Sequence, residues 1–338
     1  MIKRLCVLFV LLTLGMVGAQ EAAYRVYISN EYGASVSVID TSTDKVIGTI
    51  SVSGRPGEVR PRGMAVSPDG RTIYVGISDF EPTLQTDEDK IVAIDVATNK
   101  IVGNYYVGSD PERLAISPDG TQLWAANEDA AQATGFDLTT GKTLGSFPTG
   151  IEPEGVAISP DGRWVYVTGE TSHTITVIDT KKLAVVKNFL VGNRPRVVLF
   201  SEDGARAYAS AEIGGTISVI DPQQMAVIAT ISLGLDARPV GMALSPDGQR
   251  LYVAGGGTSS VYVIDTSTNK VVKVIHQQVG RRPWGITITP DGKKIYTADG
   301  LSDSSTVIDP GCLCVIDQIR VGRGAHSAVV GIVPQGGQ

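Results

Sequence analysis

Apolar and β-branched residues recur along this chain in short runs, four to a unit, punctuated by Gly, Pro, Asp and Asn. No stretch is long and periodic enough to predict a helix. One unit reads from Pro153: an inner strand at 155–159, a Pro-Asp-Gly turn, a second strand near 164–168, a third near 175–178 and an outer strand near 184–191. In the turn, Pro160 presets φ and Gly162 supplies a positive φ.

Three markers repeat this unit. Aspartates closing a (V/I)-x-(V/I)-Asp pattern, or a close variant, stand at Asp40, Asp95, Asp137, Asp179, Asp221, Asp265 and Asp309, with gaps of 55, 42, 42, 42, 44 and 44 residues. Ser-Pro-Asp-Gly or a near copy begins at Ser67, Ser117, Ser159, Ser201, Ser245 and Thr289, in step with the first marker. Short strands centred on Tyr27, Tyr74, Trp124, Tyr166, Tyr208, Tyr252 and Tyr296 form the third. Four strands in about 40–45 residues is the period of a propeller blade. The prediction is an all-β, seven-bladed β-propeller of four-stranded blades. The chain begins at a second strand, 25–29, and ends with 323–333, which fits a first strand. Ring closure by pairing of the N- and C-terminal strands follows, and it removes the open edges of a linear array.

Residues 1–19 read as a signal peptide: Lys3 and Arg4, an apolar run to Leu12, then Val17-Gly18-Ala19 ahead of Gln20. The run is shorter than the ~20 residues of a membrane span, so the expected product is a periplasmic or secreted single domain, 20–338, that is not membrane-spanning. Without that segment 27 basic side chains face 35 acidic ones, which argues against a nucleic-acid partner.

Loop lengths vary on one side of the predicted ring. From the Ser-Pro-Asp-Gly serine to the closing aspartate five intervals are 20 residues and the first is 28, the surplus falling at 80–89. Repeat insertions collect on a binding face. The same side concentrates charge beside the channel: Arg62, Asp110, Glu112, Glu152, Glu154, Arg194, Arg196, Arg282 and Trp284 at the inner strands, and Asn127, Glu128, Glu170 and Glu212 leaving the second strands. Asp110 and Glu152 suggest an acidic half-ring; Arg194, Arg238 and Arg282 suggest a basic one. These residues are the candidate ligand- or partner-binding site, with mutually paired rim charges as the bland alternative. Exposed rim pairs are worth about 0–1 kcal/mol each, so charge reversal at Arg196 and Arg282 is expected to leave folding nearly intact.

The sequence offers no catalytic residues of recognisable spacing and no metal or other cofactor motif. His173, His276 and His326 lack partners at triad or metal-ligand spacing and read as lone polar residues. The carboxylates come from different blades, without the fixed spacing of a calcium loop. Cys312 and Cys314 read as free or intermolecular thiols, with an internal bridge as the alternative, because a regular strand holds such Cα atoms near the upper distance limit for a disulfide.

The repeats resemble the YVTN family of β-propeller repeats over the whole mature chain. Blade-specific strings, such as Asn127-Glu128-Asp129, Glu152-Pro153-Glu154-Gly155, Arg194-Pro195-Arg196 and Glu212-Ile213-Gly214-Gly215, resemble β-propeller proteins associated with PQQ-dependent catabolism. That resemblance implies a periplasmic, non-enzymatic binding or scaffold protein, an accessory of quinoprotein alcohol oxidation or associated transport. Its expected partner is a quinoprotein dehydrogenase or a transporter component. The alternatives are a propeller enzyme of lactonase type, which needs a His or Glu and an Arg or metal converging at the channel, and a surface adhesion protein.

Overall fold

The computed structural model describes residues 23–55, 58–80 and 89–334. The expected signal peptide and residues 81–88 of the insert lie outside the described residues. The rest forms seven four-stranded antiparallel sheets, each with strands in chain order from inner to outer except the first. Blade 1 takes its inner strand, Ala325–Val333, from the end of the chain. That strand pairs with Ala23–Asn30 in a register running from Ala23 opposite Val333 to Tyr27 opposite Val329. Blades 2 to 7 follow, with inner strands Val59–Val66, Pro111–Ile116, Pro153–Ile158, Pro195–Phe200, Pro239–Leu244 and Pro283–Ile288. The seven-bladed ring and its closure stand as the repeat predicts. Among the described residues no helix is long and apolar enough to cross a membrane.

The core lies between blades. Second and third strands are sandwiched by the neighbouring sheets, so both of their faces are dry and they read as continuous apolar runs. Val165, Tyr166 and Val167 are all fully buried. The outer strands turn mostly to solvent and carry the polar positions. At the closure, Val26, Ile28, Ala325 and Val330 pack against Tyr296 and Val307 of blade 7. Each Ser-Pro-Asp-Gly turn is fastened from within. Ser159 donates to Asp161, the Gly162 amide donates to the Ser159 carbonyl at 2.8 Å, and Gly162 takes φ 71°. The turns need no ligand.

Cys312 and Cys314 are bonded to each other, which corrects the expectation of free or intermolecular thiols. Cys312 lies in the turn before the outer strand Cys314–Arg320, not in a strand. Leu313 at φ 52° folds the chain back and brings the two Cα atoms to 5.3 Å, inside the range a disulfide spans.

Candidate functional site at the channel mouth

The site is built by repetition. In blades 2 to 7 the inner strand carries a proline, and the residue after it faces the channel: Arg62, Glu112, Glu154, Arg196, Val240 and Trp284. In blade 1 Ala325 replaces the proline and His326 completes the ring. Inner strands approach backbone to backbone. A Cβ on Gly155 would meet the Arg196 carbonyl oxygen at 2.4 Å, so only glycine permits the spacing that puts Glu154 beside Arg196. A second ring lies at the ends of the second strands, where Glu31, Glu128, Glu170, Glu212, Gly256 and Gly300 each donate an amide to the carbonyl of the residue preceding the inner-strand pair, at 2.8–3.1 Å. Blades 1 to 5 thus supply charge, and blades 6 and 7 supply Val240, Trp284 and two glycines.

Between these sectors lies a cavity of about 390 Å³, lined among others by Arg62, Glu128, Glu170, Arg196, Trp284 and His326. That is the size of a small-molecule site. The expected acidic and basic half-rings are instead interleaved. Arg62 pairs with Glu112, and Arg60 with Asp110 at 2.9 Å. Arg194 meets Glu170 at 2.5 Å. Arg196 holds Glu154 at 2.9 Å and Glu212 at 2.7 Å, and also bonds Glu170.

The remaining sequence candidates divide. Arg194, Arg282, Asp110, Glu128 and Glu170 line the cavity with Arg62, Arg196 and Trp284. Glu112, Glu154 and Glu212 are buried ion-pair partners of its arginines. Asn127 is not at the mouth: it is buried inside blade 3, bonding the Val107 carbonyl and Thr134, each at 2.9 Å. Glu152 is tied to Thr171, and Arg282 lies over the Trp284 ring at 4.6 Å.

The sequence placed His326 near the channel but read it as a lone polar residue, and it gave no sign of Arg113. His326 is buried against Trp284, ring centroids 5.7 Å apart, and among the described residues neither ring nitrogen has a hydrogen-bond partner. Its signal was available, because it occupies the channel position of blade 1. Arg113 was hidden, since it lies outside that position, yet its Nε and Nη2 are buried without partners.

Burial sets the protonation states, modified by neighbours. Burial first, then Arg62, Arg113, Arg196 and Arg60, keeps His326 neutral by pushing its pKa well below the ordinary imidazole value. Burial raises Glu112 well above the usual carboxylate range against the opposing pull of Arg62. Burial also raises Glu128, assisted by Glu154 and Asp110 and opposed by Glu112 and Arg62. Glu154 goes the other way, because Arg196, Arg62 and Arg113 outweigh its burial.

Two carboxylate groups, Asp110 with Glu112 and Glu128, and Glu128 with Glu154 and Glu170, bring oxygens within 4.8 Å of one another, a spacing that could hold a cation. Each carboxylate already faces an arginine within 4.0 Å, so the guanidinium groups supply the charge a cation would.

The arginines are structural as well as chemical, which corrects the expectation for Arg196. It is 6% exposed and compensates three carboxylates. Arg196→Ala is expected to cost about 3–5 kcal/mol, the penalty for orphaning buried charge. Arg282→Ala, which loses an exposed stacking contact, should cost about 0.5–1 kcal/mol. Paired thermal melts check the contrast, and equal losses would contradict it.

His326 makes a pH signature. Its folded pKa is depressed, so the unfolded chain binds a proton that the fold refuses, and stability is lost as pH falls below the unfolded value of about 6.5. Asp299, raised by burial to about 6, works in the opposite direction, as does Glu112. The His326 contribution is therefore the difference between wild type and His326→Gln. The variant should lose less melting temperature between pH about 7 and about 5, and parallel pH profiles would refute the assignment.

With this geometry in hand, likeness to known proteins narrows the reading. The profile of a family described as Lactonase, 7-bladed beta-propeller, matches residues 180–310, the stretch that carries Arg194, Arg196, Glu212, Arg282 and Trp284. No curated protein sequence matches the chain. Similar solved structures include a periplasmic gluconolactonase of Pseudomonas aeruginosa, at 19% identity and TM-score 0.74, covering 93% of this chain and 100% of that one. The hydrazine synthase of Kuenenia stuttgartiensis aligns at 21% identity and TM-score 0.69, over 79% of this chain and 88% of that one. A functionally unknown protein of Desulfotomaculum acetoxidans aligns at 17% identity and TM-score 0.76, over 92% and 99%. At these identities the structures share the fold. The lactonase match corrects two expectations from the sequence, a non-enzymatic scaffold serving PQQ-dependent catabolism and the absence of enzymatic activity. The physical reason is the convergence of carboxylate, histidine and arginine on one cavity.

Proposed function

We propose that the chain is a hydrolase that opens cyclic esters, lactones, in the channel mouth. The observation that carries this reading is the meeting of Glu128, a carboxylate whose pKa is raised by burial, with the Arg62 guanidinium at 3.8 Å in a cavity of small-molecule size. Glu128 is the partly exposed member of the cluster, and its raised pKa brings a carboxylate base nearer to neutral pH. Glu112 is fully buried and tied to Arg62, which leaves Glu128 as the carboxylate of that pair that lines the cavity.

In the proposed reaction Glu128 takes a proton from water as the water oxygen adds to the lactone carbonyl. The Arg62 guanidinium, which lines the cavity, stabilises the resulting oxyanion. Donors already aimed at developing charge stabilise it without reorganisation. The ring C–O bond then breaks, and the leaving alkoxide recovers the proton from Glu128. The product is a hydroxy acid, which releases one proton near neutral pH. Trp284 and neutral His326 also line the cavity, where the flat indole suits the ring of a sugar lactone. The YVTN-type likeness describes the blades and is carried here only as a resemblance. The Cys312–Cys314 bridge supports the secretory reading of residues 1–19, since disulfides persist in oxidising compartments.

The test is proton release in a pH-stat with gluconolactone and a linear ester of similar size, corrected for spontaneous opening. Saturable, enzyme-dependent release from the lactone supports the proposal. Absence of any acceleration across a panel of five- and six-membered lactones would refute it.

A further inference from the structure

The exposed disulfide is not required by the turn it sits in. All seven blades make this turn, with a left-handed fourth residue at Asp44, Asn99, Gly141, Leu183, Met225, Asn269 and Leu313, φ 51–71°. The closing aspartate caps it with and without cysteine. Asp265 accepts from the Thr268 amide at 2.8 Å, Asp221 from the Gln223 amide at 2.8 Å, and Asp309 from the Gly311 amide at 2.6 Å. The bridge closes a loop of sequence separation 2, and so short a loop removes little freedom from the unfolded chain. Fold stability therefore does not explain the cysteines.

Their surroundings favour chemistry at sulfur. Both cysteines are exposed, and they line a recess of about 270 Å³ between the outer strands of blades 6 and 7 together with Lys273, His276, Gln278 and Leu313. The Lys273 ammonium gives it positive character, which favours a thiolate and attracts an anionic thiol. We propose that Cys312–Cys314 is a thiol–disulfide exchange site that oxidises dithiols.

One thiol of the substrate loses its proton to solvent and its thiolate attacks a cysteine sulfur. A mixed disulfide forms while the Cys312–Cys314 bond breaks, and the electron pair leaves on the other cysteine as thiolate. The second substrate thiol, also deprotonated, attacks the mixed disulfide and releases the first cysteine. The substrate becomes a disulfide, and the pair gains two electrons and two protons. A disulfide-class oxidant such as oxidised glutathione restores it by the reverse exchange.

The experiment equilibrates the full chain in glutathione buffers spanning reduced to oxidised, counts free thiols by alkylation and mass, and follows the melt. The pair is expected to titrate within the range of the buffer with no change in melting temperature. A pair that stays oxidised throughout, or a melt that drops on reduction, marks a structural bridge and overturns the proposal. Cys314→Ser should accumulate a mixed disulfide between Cys312 and glutathione. Lys273→Glu combined with His276→Glu should slow reduction by glutathione about tenfold while leaving the melt in place. An unchanged rate in that variant would likewise overturn the role given to the recess.

Discussion

Truncation after Gly322 is expected to abolish cooperative folding of the ring. The lost segment supplies the inner strand of blade 1, which pairs with Ala23–Asn30 and lies against blade 7. With it go Ala325, Ala328 and Val330 from the closure core, the bond from the Ser327 amide to Ser29 at 3.0 Å, and the bond from the Ile332 amide to the Gly70 carbonyl at 2.8 Å. Together these exceed the roughly 4–5 kcal/mol above which a single lesion is exceptional, and the exposed strand edge invites aggregation. The register also predicts a rescue. Val333 lies opposite Ala23, so residues 323–334 joined ahead of Ala23 form a hairpin in the native order. That circular permutant should melt like the parent protein. A truncated chain with an unchanged melt, or a permutant that fails to recover, would contradict closure by this strand.

Much of this architecture is legible in the sequence because each blade solves the same packing problem. The closing aspartates, the Ser-Pro-Asp-Gly turns and the buried aromatics at Tyr27, Trp124, Tyr166, Tyr252 and Tyr296 are fixed by local chemistry and by dry interfaces between blades, and both repeat with the period. The channel positions are legible for the same reason, since the residue after each inner-strand proline faces inward. What the sequence did not yield is how side chains from different blades combine. Glu154 and Arg196 are neighbours only because Gly155 lets their strands touch, and Asn127 looks like a rim residue until its bonds to Val107 and Thr134 are seen. Arg196 looked exposed and is buried. His326 looked solitary because its ring neighbour, Trp284, comes from the blade before it. The lactonase-type reading stood only as the alternative for the same reason: no spacing along the chain joins Arg62, Glu128 and His326.

Glu128→Gln is expected to lower kcat/KM for lactone opening by about 10²–10⁴-fold, the usual loss when a positioned general base is removed. The substitution keeps the shape of the side chain, and the ion contact it removes, to Arg62, is long at 3.8 Å, so the melt should change little. In the parent protein kcat/KM should rise with pH as Glu128 loses its proton. Because burial raises that pKa, the rising limb should lie above the ordinary glutamate value of about 4.3, and the variant should lack it. Arg62→Lys keeps a charge but loses the guanidinium that lines the cavity, and a loss of about 10²–10³-fold is expected.

The most direct measurement is a pH-stat comparison of the parent protein and Glu128→Gln on one lactone, at equal concentration and with both proteins shown to be folded by their melts. The account predicts saturable proton release by the parent and a loss of at least about a hundredfold in the variant. Equal rates for the two folded proteins, or no release above the spontaneous rate from either, would contradict it.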